Sequence, residues 1–172
     1  TYLFFFIRFV FSYYYRLPIE NSGAFYFHDR IATNYIKRVQ NVDPDNLIFW
    51  IAPERHFTMY RYIYFSGLYS NTENIKAINK LLKARSYQIG NLRFENSCPE
   101  KIQNDALYII DLSYKCEGFE KTAVIADIND AGEKYYLAND PLCQEFEHSR
   151  YPLIRSFSLL NLETLSDKEF CT

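Results

Sequence analysis

The clearest strand in the sequence is ALYIIDLSYKC, at residues 106–116. Apolar and polar side chains alternate here, and a period of two is typical of a strand with one buried face. Asp111, Ser113 and Lys115 lie on the polar face. The buried face consists of Ala106, Tyr108, Ile110, Leu112, Tyr114 and Cys116.

Similar short apolar stretches occur on both sides of this strand. The other predicted strands are residues 24–28, 47–52, 56–65, 86–94, 121–128, 133–138 and 152–160. Most links after residue 86 are short and rich in Gly, Asn, Asp and Glu, which is typical of hairpins. The pattern therefore predicts a largely antiparallel sheet of the meander type.

Two segments have helical periodicity instead. Residues 29–42 place apolar side chains on one side and charged side chains on the other. A second helix begins near Ser70 and Glu73, which form a predicted capping box. Its apolar stripe consists of Ile75, Ile78, Leu81 and Leu82. An antiparallel sheet packed against one or two amphipathic helices predicts the α+β class.

The first sixteen residues, TYLFFFIRFVFSYYYR, are strongly apolar and aromatic. Because Phe, Tyr, Ile and Val favour extended structure, a strand is the first interpretation. A membrane or assembly helix is the alternative. One face of the strand would carry Leu3, Phe5, Ile7, Phe9, Phe11 and Tyr13. Since Pro18 cannot continue a ladder, we predict an N-terminal segment at residues 1–18 and one α+β domain at residues 19–172.

The charge balance argues against nucleic acid as a partner. The chain has 19 Lys and Arg against 21 Asp and Glu, a net charge of -2, so it lacks the positive field that gathers nucleic acid. Aromatic residues are unusually frequent, at 19%. In the predicted strand at 56–65, Tyr60, Tyr62 and Tyr64 would share one face and could contact a protein partner. Alternatively, they fill a half-buried sheet face.

The four cysteines indicate a disulfide framework. They show no C-x-x-C spacing, which excludes zinc ribbons and thioredoxin-type sites. Two disulfides in an oxidising compartment fit this count, with buried thiols as the alternative. Cys143 and Cys171 bracket the C-terminal segment and are the predicted pair, which leaves Cys98 for Cys116. We therefore predict an extracytoplasmic location: secreted, periplasmic or at the cell surface.

No catalytic, cofactor-binding or metal-binding motif is found. Residues 127–133, DINDAGE, begin like a calcium loop, but Ala131 and Ala138 stand where ligands are needed, so a hairpin turn is preferred. His28 and Asp29 could form a general base with its orienting carboxylate only if another residue supplied a nucleophile. The sequence predicts a non-enzymatic protein.

An apolar N-terminal segment attached to a folded body predicts a structural or interaction subunit. The order of features resembles that of type IV pilin-like subunits: an apolar N-terminus, an amphipathic helix, an antiparallel sheet and two cysteines around the last segment. The resemblance is architectural, since position 5 is Phe5 rather than an acidic residue and Arg8 interrupts the apolar run.

Two functions are therefore predicted. The first is attachment to a protein partner or to copies of itself, with membrane contact through residues 1–16. The alternative is a carrier that binds a small apolar or aromatic ligand in a pocket lined by Tyr and Phe.

Overall fold

The structure, a computed structural model, describes residues 2–13, 26–119, 123–126, 133–139 and 153–154. Its helices are α1 (Tyr2–Phe11), α2 (Phe27–Val42), α3 (Arg55–Ser66) and α4 (Thr72–Lys83), with a 3₁₀ turn at Leu68–Ser70. Its strands are β1 (Leu47–Ile51), β2 (Gln88–Ile89), β3 (Leu92–Glu95), β4 (Ala106–Asp111), β5 (Ala123–Ala126), β6 (Glu133–Ala138) and β7 (Leu153–Ile154). The predicted α+β class is confirmed.

The strands form one mixed sheet in the order β2-β3-β1-β4-β6-β5-β7. β1 pairs in parallel with both β3 and β4, whereas β6 pairs antiparallel with β4 and β5. β2 and β7 have only two residues each, so the five longer strands form most of the sheet. The predicted antiparallel meander, which the pilin-like resemblance also implied, is wrong. Parallel strands need a crossover connection, and α3 and α4 supply it between β1 and β3.

The strand predicted at residues 56–65 is also wrong, because these residues lie in α3. Aromatic residues favour strands locally, but tertiary packing overrides that preference. The buried side chains of α3 recur at helical spacing and are Thr58, Met59, Tyr62 and Ile63. The three predicted interaction tyrosines therefore do not share one face. Tyr62 is buried, with its ring 5.7 Å from that of Phe94, whereas Tyr60 and Tyr64 are exposed.

Both faces of the central strands are buried. On one face, Trp50 of β1 and Ile109 of β4 pack with apolar side chains of α2 and α3. On the other face, Phe49 stacks on Tyr108 with ring centroids 5.1 Å apart. β4 is therefore buried along its whole length and ends at Asp111, so the predicted solvent-facing side of this strand is wrong.

A disulfide holds the loops that cover the second face. Cys98 follows β3 and Cys116 follows β4, and the two are bonded to each other. Cys98, Cys116 and Phe119 pack against the cluster around Tyr108. This predicted pair is confirmed, whereas the predicted Cys143–Cys171 pair lies outside the described residues.

The N-terminal segment is helical where the structure describes it. α1 has no buried residue; Val10 is half-buried, and the other large apolar side chains of the helix are 57–93% exposed. The predicted strand is wrong, because residues 2–11 are helical; a membrane or assembly role for this helix stays a prediction. Because a helix turns about 100° per residue, Leu3, Phe5, Ile7, Phe9 and Phe11 are spread around the axis. Among the described residues, none of the helices combines the length and the apolar character that a membrane span requires.

The two helices predicted from periodicity are confirmed, with altered ends. α2 begins at Phe27, so residues 26–28 are not the predicted strand. At α4 the cap is Asn71, whose side chain accepts a hydrogen bond from the Glu73 amide at 2.8 Å, while Ser70 lies in the preceding 3₁₀ turn. Residues 127–132 of the calcium-like stretch lie outside the described residues.

Candidate functional site

A cavity of about 480 Å³ lies at the carboxyl ends of β1 and β4. From β1 the chain continues through α3 and α4 to β3 on one side, whereas from β4 it continues to the β5–β6 side. Connections that leave neighbouring parallel strands in opposite directions open a crevice, and ligands commonly bind there in open sheets. We call this cavity the switch-point cavity.

Asp29, in the first turn of α2, forms part of its wall. This buried carboxylate accepts a hydrogen bond from the Tyr135 hydroxyl, and the Arg61 guanidinium lies 3.2 Å from its other oxygen. Burial raises the pKa of Asp29, and the contacts with Tyr135 and Arg61 offset this only in part. Asp29 therefore holds a proton more readily than an ordinary aspartate.

Tyr135 of β6 remains a hydrogen-bond donor at this position. Burial raises the pKa of its hydroxyl well above 10, and the negative charge of Asp29 raises it further. The hydroxyl therefore stays protonated at neutral pH.

The second buried carboxylate of the wall is Asp111, at the end of β4; the exposed Glu54 also lines the cavity. The Lys134 ammonium lies 2.7 Å from Oδ2, and the backbone amide and hydroxyl of Ser113 donate to Oδ1 at 2.9 and 2.7 Å. Burial alone would raise the pKa of Asp111, but the contacts with Lys134 and Ser113 outweigh it and hold the pKa below its usual value. The two aspartates thus have shifts of opposite direction.

Arg61 is held in place by two neighbours. One is Asp29, and the other is the ring of Tyr26, whose centroid lies 4.1 Å beneath the guanidinium carbon. Tyr26 has a left-handed backbone (φ 52°), which is uncommon for a residue other than glycine. A guanidinium fixed by a carboxylate and a ring presents its remaining donors in a defined direction.

These contacts place positively and negatively charged side chains side by side on the cavity wall. Arg61 and Lys134 supply the cations, and each already has a carboxylate partner. Within the part of the chain that the structure describes, no three His, Cys, Asp or Glu side chains are grouped so as to hold a metal ion. The arrangement is suited to binding a ligand that carries groups of both signs.

None of the interaction residues predicted from the sequence lines the switch-point cavity. Leu3, Phe5, Ile7, Phe9 and Phe11 lie on α1, Tyr60 and Tyr64 lie on the exposed surface of α3, and Tyr62 lies in the core. Cys98 and Cys116 pack on the second face of the sheet.

Part of the site has a signal in the sequence. His28 and Asp29 are the candidate general base and orienting carboxylate of the sequence analysis, and both line the cavity. Asp111 ends an apolar run, which is where a carboxylate at a strand end is expected. Lys134 and Tyr135 had no such signal, because only the strand order brings β6 beside β4.

Comparisons with family models, with curated proteins and with solved structures find no match for this chain.

Proposed function

We propose that this chain is a binding domain for a small zwitterionic molecule, which occupies the switch-point cavity. The carrying observation is that two carboxylate–cation pairs, Asp29–Arg61 and Asp111–Lys134, converge on one cavity of about 480 Å³. That volume lies within the range of small-molecule sites. The proposed role is binding and not catalysis.

The charges of the wall favour a zwitterion over a simple ion. Removing ions from water costs several kcal/mol each unless they are paired in good geometry. An anion bound at Arg61 would compete with Asp29, and a cation bound at Asp111 would compete with Lys134. A ligand with one group of each sign can pair with both sides and leave no buried charge uncompensated.

The same reasoning argues against the apolar ligand expected of a carrier. An apolar molecule in this cavity would remove water from Arg61, Lys134 and the aspartates without offering any hydrogen bond in return. The proposed cavity therefore differs from the Tyr- and Phe-lined pocket of the predicted carrier in its charged lining, and its proposed ligand differs in being a zwitterion.

The disulfide bears on where such a domain operates. A Cys98–Cys116 bond indicates an oxidising compartment, since cytosolic thiols are kept reduced. We propose that this compartment is extracytoplasmic: the secretory route, the periplasm or the cell surface.

The proposal is tested by thermal unfolding of the full chain with three groups of probes: amino acids, simple carboxylates and simple amines. An amino acid at about 100 times its Kd should raise the Tm by roughly 5–10 °C. Carboxylates and amines alone should raise it by much less. A larger shift with either single-charge group would contradict the zwitterion proposal.

Matched variants locate the binding. Arg61→Gln removes the guanidinium that would pair with the negative group of the ligand and should abolish the ligand-induced shift, whereas Lys101→Gln changes the same charge at an exposed position outside the cavity. Equal loss of the shift in both variants would show that net charge, and not the cavity, is responsible.

A second candidate function is attachment through α1. The specific observation is that Phe5, Phe9 and the other large apolar side chains of this helix, except Val10, are exposed and are spread around its axis. A helix that is apolar all round is normally covered by protein or lipid. We propose that a protein partner, or a second copy of this chain, covers it.

Sedimentation velocity tests the attachment role. The full chain should self-associate, whereas a chain lacking residues 1–16 should remain a monomer that still melts cooperatively. Phe5→Ser with Phe9→Ser should have the effect of the truncation, while Tyr60→Ser with Tyr64→Ser controls for exposed aromatics elsewhere. Loss of the cooperative melt on truncation would show that the segment belongs to the core instead.

A further inference from the structure

A second cavity, of about 270 Å³, lies at the outer side of the sheet, where β3 ends and β2 begins. Three arginines from separate segments line it: Arg55 at the start of α3, Arg85 after α4, and Arg93 in β3. Glu95 is the acidic residue among its described lining residues. The charged lining therefore has three positive groups and one negative group. We call this cavity the arginine pocket.

Glu95 neutralises at most one of the three guanidinium groups. Its carboxylate lies 3.8 Å from Arg55, and both side chains are more than a third exposed, so this ion pair is weak. Arg55 also stacks on the ring of Tyr87, with 4.2 Å from the guanidinium carbon to the ring centroid. Among the described residues, Arg85 and Arg93 have no carboxylate within ion-pair distance.

Arg93 has a donor that the described chain leaves unused. Its Nε is buried and has no hydrogen-bond partner among the described residues. The guanidinium lies over Phe49, with its carbon 5.7 Å from the ring centroid, and a ring edge or face offers no strong acceptor. A buried donor without an acceptor is unfavourable, so an acceptor supplied by a ligand would remove that cost.

The backbone at Arg85 is the second unusual feature. The amide of Ser86 donates to the Leu81 carbonyl at 2.9 Å and that of Arg85 to the Leu82 carbonyl at 3.0 Å, which is the hydrogen-bond pattern of a Schellman motif at the end of α4. Arg85 has φ 52°, at the position where glycine is usual. Since folding alone favours glycine there, the arginine side chain is a candidate for a functional role.

We propose that the arginine pocket binds the phosphate group of a small phosphomonoester. A phosphate has three terminal oxygens and a charge near -2, which matches three guanidinium groups that line one cavity and the excess positive charge of that lining. A carboxylate has two oxygens and a single charge, so it would leave one guanidinium unpaired. The inference is independent of the switch-point cavity, because the two cavities share no lining residue.

The test titrates inorganic phosphate and methyl phosphate into the full chain at low salt, followed by calorimetry and by NMR shifts of the Arg85 and Arg93 resonances. Arg85→Gly should weaken phosphate binding at least about tenfold. It should at the same time raise the Tm by about 2–4 °C, since glycine relieves the left-handed backbone. If Arg85 had only a structural role, Arg85→Gly would change the Tm without weakening phosphate binding.

Two further variants keep the proposal falsifiable. Arg93→Gln should also weaken binding at least about tenfold. Lys80→Gln, which removes one exposed positive charge of α4 outside the pocket, should change neither binding nor resonances. The proposal is overturned if Arg85→Gly binds phosphate as tightly as the native chain, or if Lys80→Gln weakens it equally. Binding of inorganic phosphate without methyl phosphate would overturn the phosphomonoester assignment.

Discussion

Two apolar, aromatic-rich stretches of this chain have opposite surroundings. In β1, LIFWI, the side chains of Ile48, Trp50 and Ile51 are 0% exposed. In α1, YLFFFIRFVF, Leu3 is 71% exposed and Phe5 is 61% exposed. β1 has a strand on each side and packed side chains on both faces, whereas α1 satisfies its backbone hydrogen bonds within its own turns. Similar composition therefore led to opposite burial.

The difference indicates where the stability of the fold arises. Apolar side chains stabilise a fold only through the area that they remove from water. Trp50 and its neighbours should therefore hold the body together, while the side chains of α1 should contribute little until a partner covers them.

The largest expected effect is that of truncating Trp50. Trp50→Ala should lower the free energy of unfolding by about 3–5 kcal/mol, because it leaves a void beside Phe94 and Tyr135. Phe5→Ala should change it by less than about 0.5 kcal/mol. Urea unfolding measures both values. Comparable losses of unfolding free energy in the two variants would show that α1 is buried against the rest of the fold. The difference between α1 and β1 would then not hold.

The disulfide should have the next largest effect. Replacing Cys98 and Cys116 by serine frees a link with a sequence separation of 18 and should cost about 3 kcal/mol. Hydrogen exchange should rise first at Tyr108 and Ile110, whose face the bonded loops cover. Amides of α1 serve as the internal control, since loss of the disulfide should leave their exchange unchanged. Equal acceleration in α1 would mean that the two regions unfold together.

α4 extends the comparison to a helix that is buried on one stripe only. Asn71→Ala removes the acceptor for the Glu73 amide and should cost about 1 kcal/mol. Ser70→Ala, at the residue that the sequence suggested as the cap, should cost less than about 0.5 kcal/mol. Thermal unfolding of the two variants decides between them. A larger loss of stability in Ser70→Ala than in Asn71→Ala would show that Ser70 is the N-cap, as the predicted capping box requires.

The smallest expected effect is a dependence of the unfolding free energy on pH. It arises from Asp29 and Asp111, and α1 does not contribute to it. The pKa of Asp29 is raised from 3.8, so the folded state binds more protons above pH 3.8 and stability should fall as pH rises through that window. Asp111 acts in the opposite sense, since its lowered pKa gives stability that is lost as pH falls below 3.8.

Asp29→Asn isolates the first contribution. The difference in unfolding free energy between this variant and the native chain, measured by urea unfolding from pH 3.5 to 8, should change in the variant's favour with rising pH. A difference that stays constant over this range would show that the pKa of Asp29 is not raised by burial.

Much of the local structure could be predicted from the sequence. The strands at 47–52 and 133–138 and the helices at 29–42 and after Ser70 were found because their patterns agree with their final surroundings. The pairing of Cys98 with Cys116 followed by elimination, once Cys143 had been assigned to Cys171 from the positions of these two cysteines around the C-terminal segment. The left-handed Arg85 and the Asp29–Arg61 contact could not be predicted, since each depends on segments that only the fold brings together.

One wrongly predicted element explains why the parallel topology was not predicted. Residues 56–65 were predicted as a strand because five of them are Phe or Tyr, although Met59, Tyr62 and Ile63 have the i, i+3, i+4 spacing of a helix face. Had they been predicted as a helix, β1 would have been followed by two helices and then a strand. That order indicates a parallel crossover.

The sequence by itself determined the α+β class, the main strands and two helices, because hydrophobic periodicity acts over a few residues. Only the tertiary structure decided that β1 lies parallel to β3 and β4, that α1 is an exposed helix, and that Asp29, Arg61, Asp111 and Lys134 line one cavity. Strand order and the meeting of distant side chains depend on how whole elements pack. Local propensity carries no information about which segments become neighbours.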